Sequence, residues 1–206
     1  MERTIAEEEK RIFDGKLFDA HTPELMLIKH RAHELCRNYN SLDEWDPQRP
    51  VLLQVLLGGQ GENVKFQGPI QFNYGVHTFI GHDFFANFNF LAMDDGKITI
   101  GNHVMIGPNV SLLASNHPLI PDERLAMEYP DGHVSMSEFA KGITIGDKVW
   151  ICANVSVLDG VTIGEGAVIG AGSVVTRDIP AGYLAFGNPA RPVRKITAAD
   201  TRISLL

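Results

Sequence analysis

The 206-residue chain has only two cysteines and two tryptophans, and it has no apolar run near the roughly 20 residues needed to cross a bilayer. Cys36 falls in a helical pattern and Cys152 in a repeat, so no disulfide framework is indicated and reduced thiols in a cytoplasm are the simpler reading. Positive charge is also scarce. Eighteen Lys and Arg against 25 Asp and Glu leave a formal charge of -7 and a pI near 5.6, which argues against a broad nucleic-acid surface, because phosphate binding needs clustered cations. The opening MERTIAEEEKRIFDGKLF is acidic and lacks an apolar core of signal-peptide length. These absences predict a cytoplasmic protein with no nucleic-acid and no membrane partner.

What is present is ordinary globular composition, 44% hydrophobic, with 20 glycines falling at fixed intervals. The length suits one sizeable domain with a small appendage. The appendage reads as a helical segment over 1–60. Thr22 offers a hydroxyl cap, Pro23 suits the first turn, and Glu24 suits the positive end of the helix dipole. Leu25, Leu27 or Ile28, Ala32, Leu35 and Tyr39 then recur at near-helical spacing. A second short helix is predicted over 50–57, stopped by Gly58, Gly59 and Gly61.

From about Ile70 the period becomes six. Ile145, Ile151, Val157, Ile163, Ile169 and Val175 advance without a slip, and a second row, Ile143, Val149, Val155, Val161, Ala167 and Ser173, runs two residues ahead. Small residues follow the main row at Gly146, Cys152, Gly164 and Gly170, and the same phase holds upstream at Ile98, Ile100, Val104, Ile106, Val110 and Leu112. Each hexad supplies a short strand, with the small residue allowing a tight turn. Three strands close a triangular coil of about eighteen residues, the hexapeptide parallel β-helix. The fold class expected is therefore all-β with an N-terminal helical segment, the prism spanning 61–196. A loop over 119–141 interrupts the beat at SNHP, RDIPAGYLAFGNPARPVRKI is expected as a loop across the outside of the prism, and 197–206 as a short frayed end.

The ordered motifs KLFDAHTPEL, FNYG, IGHDFFANFNF, DDGKITIG, SNHP, ITIGDKVWI, GVTIGEGAVIGAGSVVTRDIP and GNPARPVRKI resemble the maltose and galactoside O-acetyltransferases of the hexapeptide acyltransferase superfamily, from about Gly15 to Ile196. The resemblance implies a left-handed β-helix, a homotrimer with active sites between neighbouring prisms, acetyl-CoA as donor, and a sugar hydroxyl as acceptor. It also implies site residues. His117 would be the general base, a role that suits an imidazole titrating near neutrality, and Asn87 would contact the acceptor and help the tetrahedral intermediate. Asp19, Asn73 and Asp95 would bind the acceptor, Asn73 standing where the galactoside enzyme has a serine. Ala153, Ala171, Thr176, Arg177, Arg191 and Arg194 would bind the coenzyme, with Trp150 covering the groove or packing between subunits. Four cations within 177–195 of an acidic chain suit coenzyme phosphates. The loop 119–141 is longer than in the galactoside enzyme, and Cys152 replaces the glycine usual after WI.

Two other readings remain open to the sequence. His77, His82 and His117 could supply a zinc hydratase of the γ-carbonic anhydrase type, although that family orders its histidines the other way. A non-catalytic trimeric β-helix scaffold is the third. The acetyltransferase reading requires no metal.

Overall fold

A computed structural model describes residues 7–129 and 132–205; the start of the expected helical segment (1–6), Pro130 and Asp131 of the loop, and Leu206 of the tail lie outside them. The six-residue beat becomes a parallel β-solenoid of triangular section. Its first face stacks the strands Gly59–Gln60, Thr78–Ile80, Ile98–Ile100, Ile143–Ile145 and Thr162–Ile163. The second stacks Lys65–Phe66, Phe85–Ala86, Met105–Ile106, Trp150–Ile151 and Val168–Ile169. The third stacks Ile70–Phe72, Phe90–Met93, Ser111–Leu113, Ser156–Leu158 and Val174–Val175.

Parallel register makes the core a set of columns. Ile80, Ile100, Ile145 and Ile163 form one, Phe66, Ala86, Ile106, Ile151 and Ile169 a second, and Phe72, Ala92, Leu112, Val157 and Val175 a third. All of these side chains are buried. Each contributes about 1.5–3 kcal/mol of apolar burial where the side chain is Val, Leu, Ile or Phe.

The first solenoid strand, Gly59–Gln60, lies just ahead of the expected start at 61 and well before Ile70, where the six-residue period becomes readable. The first coils use aromatic and alanine residues instead of Ile and Val, which hid the beat. Phe66, Phe72, Phe84 and Phe90 pack ring to ring, with centroids 5.1 to 5.9 Å apart, and Ala86 and Ala92 make room beside them.

The small residues also have a different cause from the one expected. Gly101 is not at positive φ; a Cβ there would lie 2.8 Å from the Asp147 nitrogen, so the backbone of the next coil requires its smallness. The left-handed turns are made two residues later, by Asp83, His103 and Lys148 at the first corner and by Asn89, Asn109 and Asn154 at the second. Asn89 donates to Asn109 at 2.8 Å and Asn109 to Asn154 at 3.0 Å, a ladder along that edge.

The N-terminal segment forms three helices, α1 (Glu7–Phe13), α2 (Pro23–Ser41) and α3 (Gln48–Leu56). Thr22 does precede α2, but its hydroxyl makes no cap and is buried without a partner. α2 turns Leu25, Ala32, Cys36 and Tyr39 inward, and burial pushes the Cys36 thiol up to about 11, an inert state. The helices seal the first coil. Tyr39 Oη donates to the Phe66 carbonyl at 2.7 Å, Arg49 to the Phe66 and Gln67 carbonyls, and Asn40 both donates to and accepts from Ile70.

Three expectations about loops are corrected. Among the described residues of the 119–141 segment, Ala126–Glu128 pairs with Val134–Ala140, and the latter pairs antiparallel with both Phe18–Asp19 and Ser115–Asn116. The C-terminal stretch is a hairpin instead of a loop. Tyr183–Gly187 adds parallel to Val168–Ile169 on the second face, and Ala190–Lys195 folds back on it, because backbone groups at the end of a sheet need partners. The described residues just after it are tied instead of frayed. Arg194 makes two bonds to the Asp200 carboxylate, at 2.8 and 2.6 Å, and Asp200 caps the turn begun by Thr197.

Candidate active site

The third corner, where the third face turns into the first, stacks the polar residues that the motifs single out. Asn73 follows the strand Ile70–Phe72, Asp94 and Asp95 follow Phe90–Met93, Asn116 and His117 follow Ser111–Leu113, Asp159 follows Ser156–Leu158, and Thr176 and Arg177 follow Val174–Val175. Successive coils lie about 4.8 Å apart, so these side chains form one edge.

At SNHP, Asn116 works as a two-sided clamp. Its Nδ2 donates to Asp159 Oδ1 at 3.0 Å, and its Oδ1 accepts the His117 backbone N–H at 2.8 Å. Pro118 is buried, while His117 is exposed and its ring makes no hydrogen bond among the described residues. A fixed backbone thus carries an imidazole with both nitrogens available.

One coil below, Asn73 Nδ2 donates to both oxygens of Asp95, at 3.0 and 3.1 Å. Burial and the Glu138 carboxylate push the Asp95 carboxyl above its ordinary value, against the pull of Lys29 and Asn73. His33 of α2 lies beside Asn73, and its imidazole is held down by burial and by Lys29 and Arg37. A cavity of about 320 Å³ between α2 and the third face runs from Asn73 past Leu91 and Met93.

The edge is held by groups that sequence reading did not assign. Asp94 is fully buried and accepts from the Tyr74 N–H at 2.7 Å and the Thr78 hydroxyl at 2.8 Å. His77 is also fully buried; its Nδ1 faces the carbonyls of Asp94 and Asp95, both at 2.9 Å, so that nitrogen must carry a proton. Its Nε2 meets Glu9 of α1 at 2.9 Å. This chain fastens α1 to the corner beside Asp95, which is itself buried. The first Asp of MDDGK, Asp94, was the one available signal for it.

Asp19 sits apart, under the inserted hairpin. Its carboxylate accepts Ser135 Oγ at 2.7 Å, His133 Nε2 at 2.9 Å and the His21 N–H at 2.8 Å. Burial works to raise its pKa, but these bonds outweigh it and the carboxyl is held below its ordinary value. Its strand neighbour Phe18 pairs with Glu138, the residue that perturbs Asp95.

Asn87 lies at a different edge, the second corner, where the second face turns into the third. Register aligns it with Gly107, Cys152 and Gly170, with Ala153 and Ala171 one step on. Asn87 stands outside the asparagine ladder. Its Oδ1 accepts the Phe88 N–H at 2.8 Å and its Nδ2 has no partner among the described residues. Cys152 fills a half-buried small position, and burial raises its thiol pKa. Trp150 stands on the outer second face, 47% exposed, in line with Phe85 and Met105.

The coenzyme candidates divide in the same way: Trp150, Ala153 and Ala171 near the second corner, Thr176 and Arg177 at the third. Arg191 and Arg194 lie on the terminal hairpin, where Arg194 is already paired with Asp200 and Arg191 donates to the Ala190 carbonyl. The zinc-hydratase trio does not assemble. His77 is sealed against Glu9, His82 is exposed on the first corner beside Asp83, and His117 is on the third.

Residues 11–61 match the maltose acetyltransferase hexapeptide capping motif, and residues 142–177 match the bacterial transferase hexapeptide of six repeats. The galactoside O-acetyltransferase of Escherichia coli K12 is 38% identical over 192 residues, 93% of this chain and 90% of that protein. The chain belongs to the maltose and galactoside O-acetyltransferase family. A galactoside acetyltransferase solved in complex with coenzyme A superposes on this acetyltransferase with a TM-score of 0.86 at 36% identity, over 95% of this chain and 94% of that one. A hexapeptide-repeat acetyltransferase of Vibrio cholerae, solved with acetyl coenzyme A, does so at 0.80 and 34% identity, over 93% and 100%. Among the described residues no helix is long and apolar enough to cross a membrane.

Proposed function

We propose that this acetyltransferase moves an acetyl group from acetyl-CoA to a hydroxyl of a small sugar, with His117 as general base. The observation that carries the reading is the third corner, where an unencumbered imidazole on a clamped backbone shares an edge with the buried Asp95–Asn73 pair, polar groups of the kind that hold sugar hydroxyls. The donor follows from the coenzyme A and acetyl-CoA complexes of the two related structures, and the acceptor class from the names of the galactoside and maltose relatives.

His117 takes the acceptor's hydroxyl proton as the oxygen attacks the thioester carbonyl. The C–S bond then breaks, and the departing thiolate takes the proton from the imidazolium, so the base is regenerated without a covalent acetyl-enzyme. The free Nδ2–H of Asn87 is the donor suited to the oxyanion. Asn87 and His117 lie at opposite borders of the third face, roughly 15–20 Å apart at the rise of an extended chain, too far to share one reacting carbon within a single chain. The site is therefore completed by a second copy, in a homotrimer whose second corner faces its neighbour's third. Trp150, Ala153 and Ala171 then line the donor groove from one side and Thr176 and Arg177 from the other, with Arg191 and Arg194 for the coenzyme phosphates. Asp19 positions the hairpin that closes the acceptor end.

The test is thiol release from acetyl-CoA across a panel of mono- and disaccharides. Sugar-dependent release that falls about 10²–10⁴-fold in His117→Ala supports the reading. Release that the substitution leaves unchanged removes the base assignment, and no release with any sugar removes the acceptor class.

A further inference from the structure

The first corner, opposite both edges used above, carries a cluster that the reaction does not absorb. His82, Asp83 and His103 are exposed, and one ligand atom from each lies within 4.8 Å of the others. Asp83 and His103 occupy equivalent turn positions in successive coils, both at φ of 55°, and the His103 N–H donates to the His82 carbonyl at 2.9 Å. The backbone ladder therefore fixes where each side chain leaves the prism.

The carboxylate is oriented as well. Asn63, one coil below, donates to Asp83 Oδ1 at 2.9 Å. This leaves Oδ2 facing two imidazoles, 2.6 Å from His82 Nδ1 and 3.6 Å from His103 Nδ1. The rings stand edge to face, with centroids 4.7 Å apart. A tetrahedral ion with bonds of about 2.0–2.1 Å requires its ligand atoms about 3.3 Å from one another, a spacing that these two distances bracket. Two imidazoles and one carboxylate suit a first-row transition ion better than Mg²⁺ or Ca²⁺, which take oxygen ligands. Asparagine bonded to a ligating carboxylate is the kind of outer contact that orients metal ligands.

We propose that His82, Asp83 and His103 form a binding site for a divalent transition-metal ion, with Zn²⁺ as the fitting case and water in the remaining position. The ligands come from two consecutive coils, so the ion staples the second coil to the third. The site has no part in acetyl transfer and does not depend on the proposed acceptor.

The experiment is a calorimetric titration of Zn²⁺ into tag-free, chelator-treated full-length protein, with Mg²⁺ as the control ion. The variants are His103→Asn and Asp83→Asn, because asparagine already makes the same left-handed turn at Asn63 and Asn109 and the corner is kept. The expected result is one Zn²⁺ per chain, not displaced by Mg²⁺ and weakened at least about tenfold in each variant. A rise in Tm with Zn²⁺ that both variants lose is expected as well, while thiol release stays at the native rate. Zn²⁺ binding of native strength in His103→Asn would assign the ion to other histidines and overturn the proposal, as would an absence of binding by the native chain.

Discussion

If Asn87 and His117 act on the same carbonyl but stand at different edges of each prism, two inactive proteins should repair each other. His117→Ala removes the base and is expected to lose about 10²–10⁴ in rate. Asn87→Ala removes the oxyanion donor and is expected to lose about 10²–10³. Each leaves under about 1% of native activity. In a ring of three, every junction joins the second corner of one chain to the third corner of the next. With the two variants mixed equally and assorted at random, both corners are intact at about one junction in four. The unfractionated mixture should therefore recover to about 25% of native, and rings that contain both variants, each with one intact junction of its three, to about a third, a rise of at least about 30-fold over either parent. The variants, carrying different tags, would be refolded together, mixed oligomers isolated through both tags, and thiol release measured with the best sugar. Mixed oligomers that remain at the level of the parents would refute the shared site and require Asn87 and His117 to act within one chain.

Other consequences follow from the same geometry. Gly101→Ala places a methyl 2.8 Å from the Asp147 nitrogen, which forces adjacent coils apart; a cost of about 1–3 kcal/mol and a lower Tm are expected in calorimetry. Arg191→Ala should raise KM for acetyl-CoA more than Arg194→Ala, because Asp200 already neutralises Arg194; equal increases would show that this pair opens when the coenzyme binds. Asp19 titrates below its ordinary value of 3.8 in the folded protein, so the carboxylate's contribution is present above that value and lost as pH falls through the lower folded pKa. Amide protection in Val134–Ala140 should fall there before that of the solenoid strands, and Asp19→Asn should show the reduced protection at neutral pH.

The solenoid was legible where its layers are chemically uniform. From Ile98 to Val175 each coil places Ile, Val or Leu in the same column, so the period survives even across the long insertion. Below Ile98 the same columns hold Phe beside Ala, a volume exchange that packs equally well but carries no constant letter. The candidate site divides in the same manner. His117, Asn87, Asp95 and Asn73 sit in local motifs, whereas the Glu9–His77 contact joins residues 68 apart, and Asp19 meets Ser135 across 116. Nothing local signals such pairs. The inserted hairpin was readable as an interruption, but not as a strand pairing with Phe18–Asp19, because its alternation is broken by mixed exposure.

The bonds from Tyr39, Arg49 and Asn40 to the first coil have a consequence beyond holding the helices in place. A coil offers its neighbour a full row of unpaired amides and carbonyls, and nothing in a repeated hexad specifies when growth should stop. By occupying the Phe66, Gln67 and Ile70 groups, the helices end the stack within the molecule, and the terminal hairpin finishes the far end of the second face. A chain shorn of α2 and α3 would present a template for end-to-end polymerisation, fibre-like along the prism axis. The N-terminal helices thereby set the length of the particle as well as walling one side of its cavity.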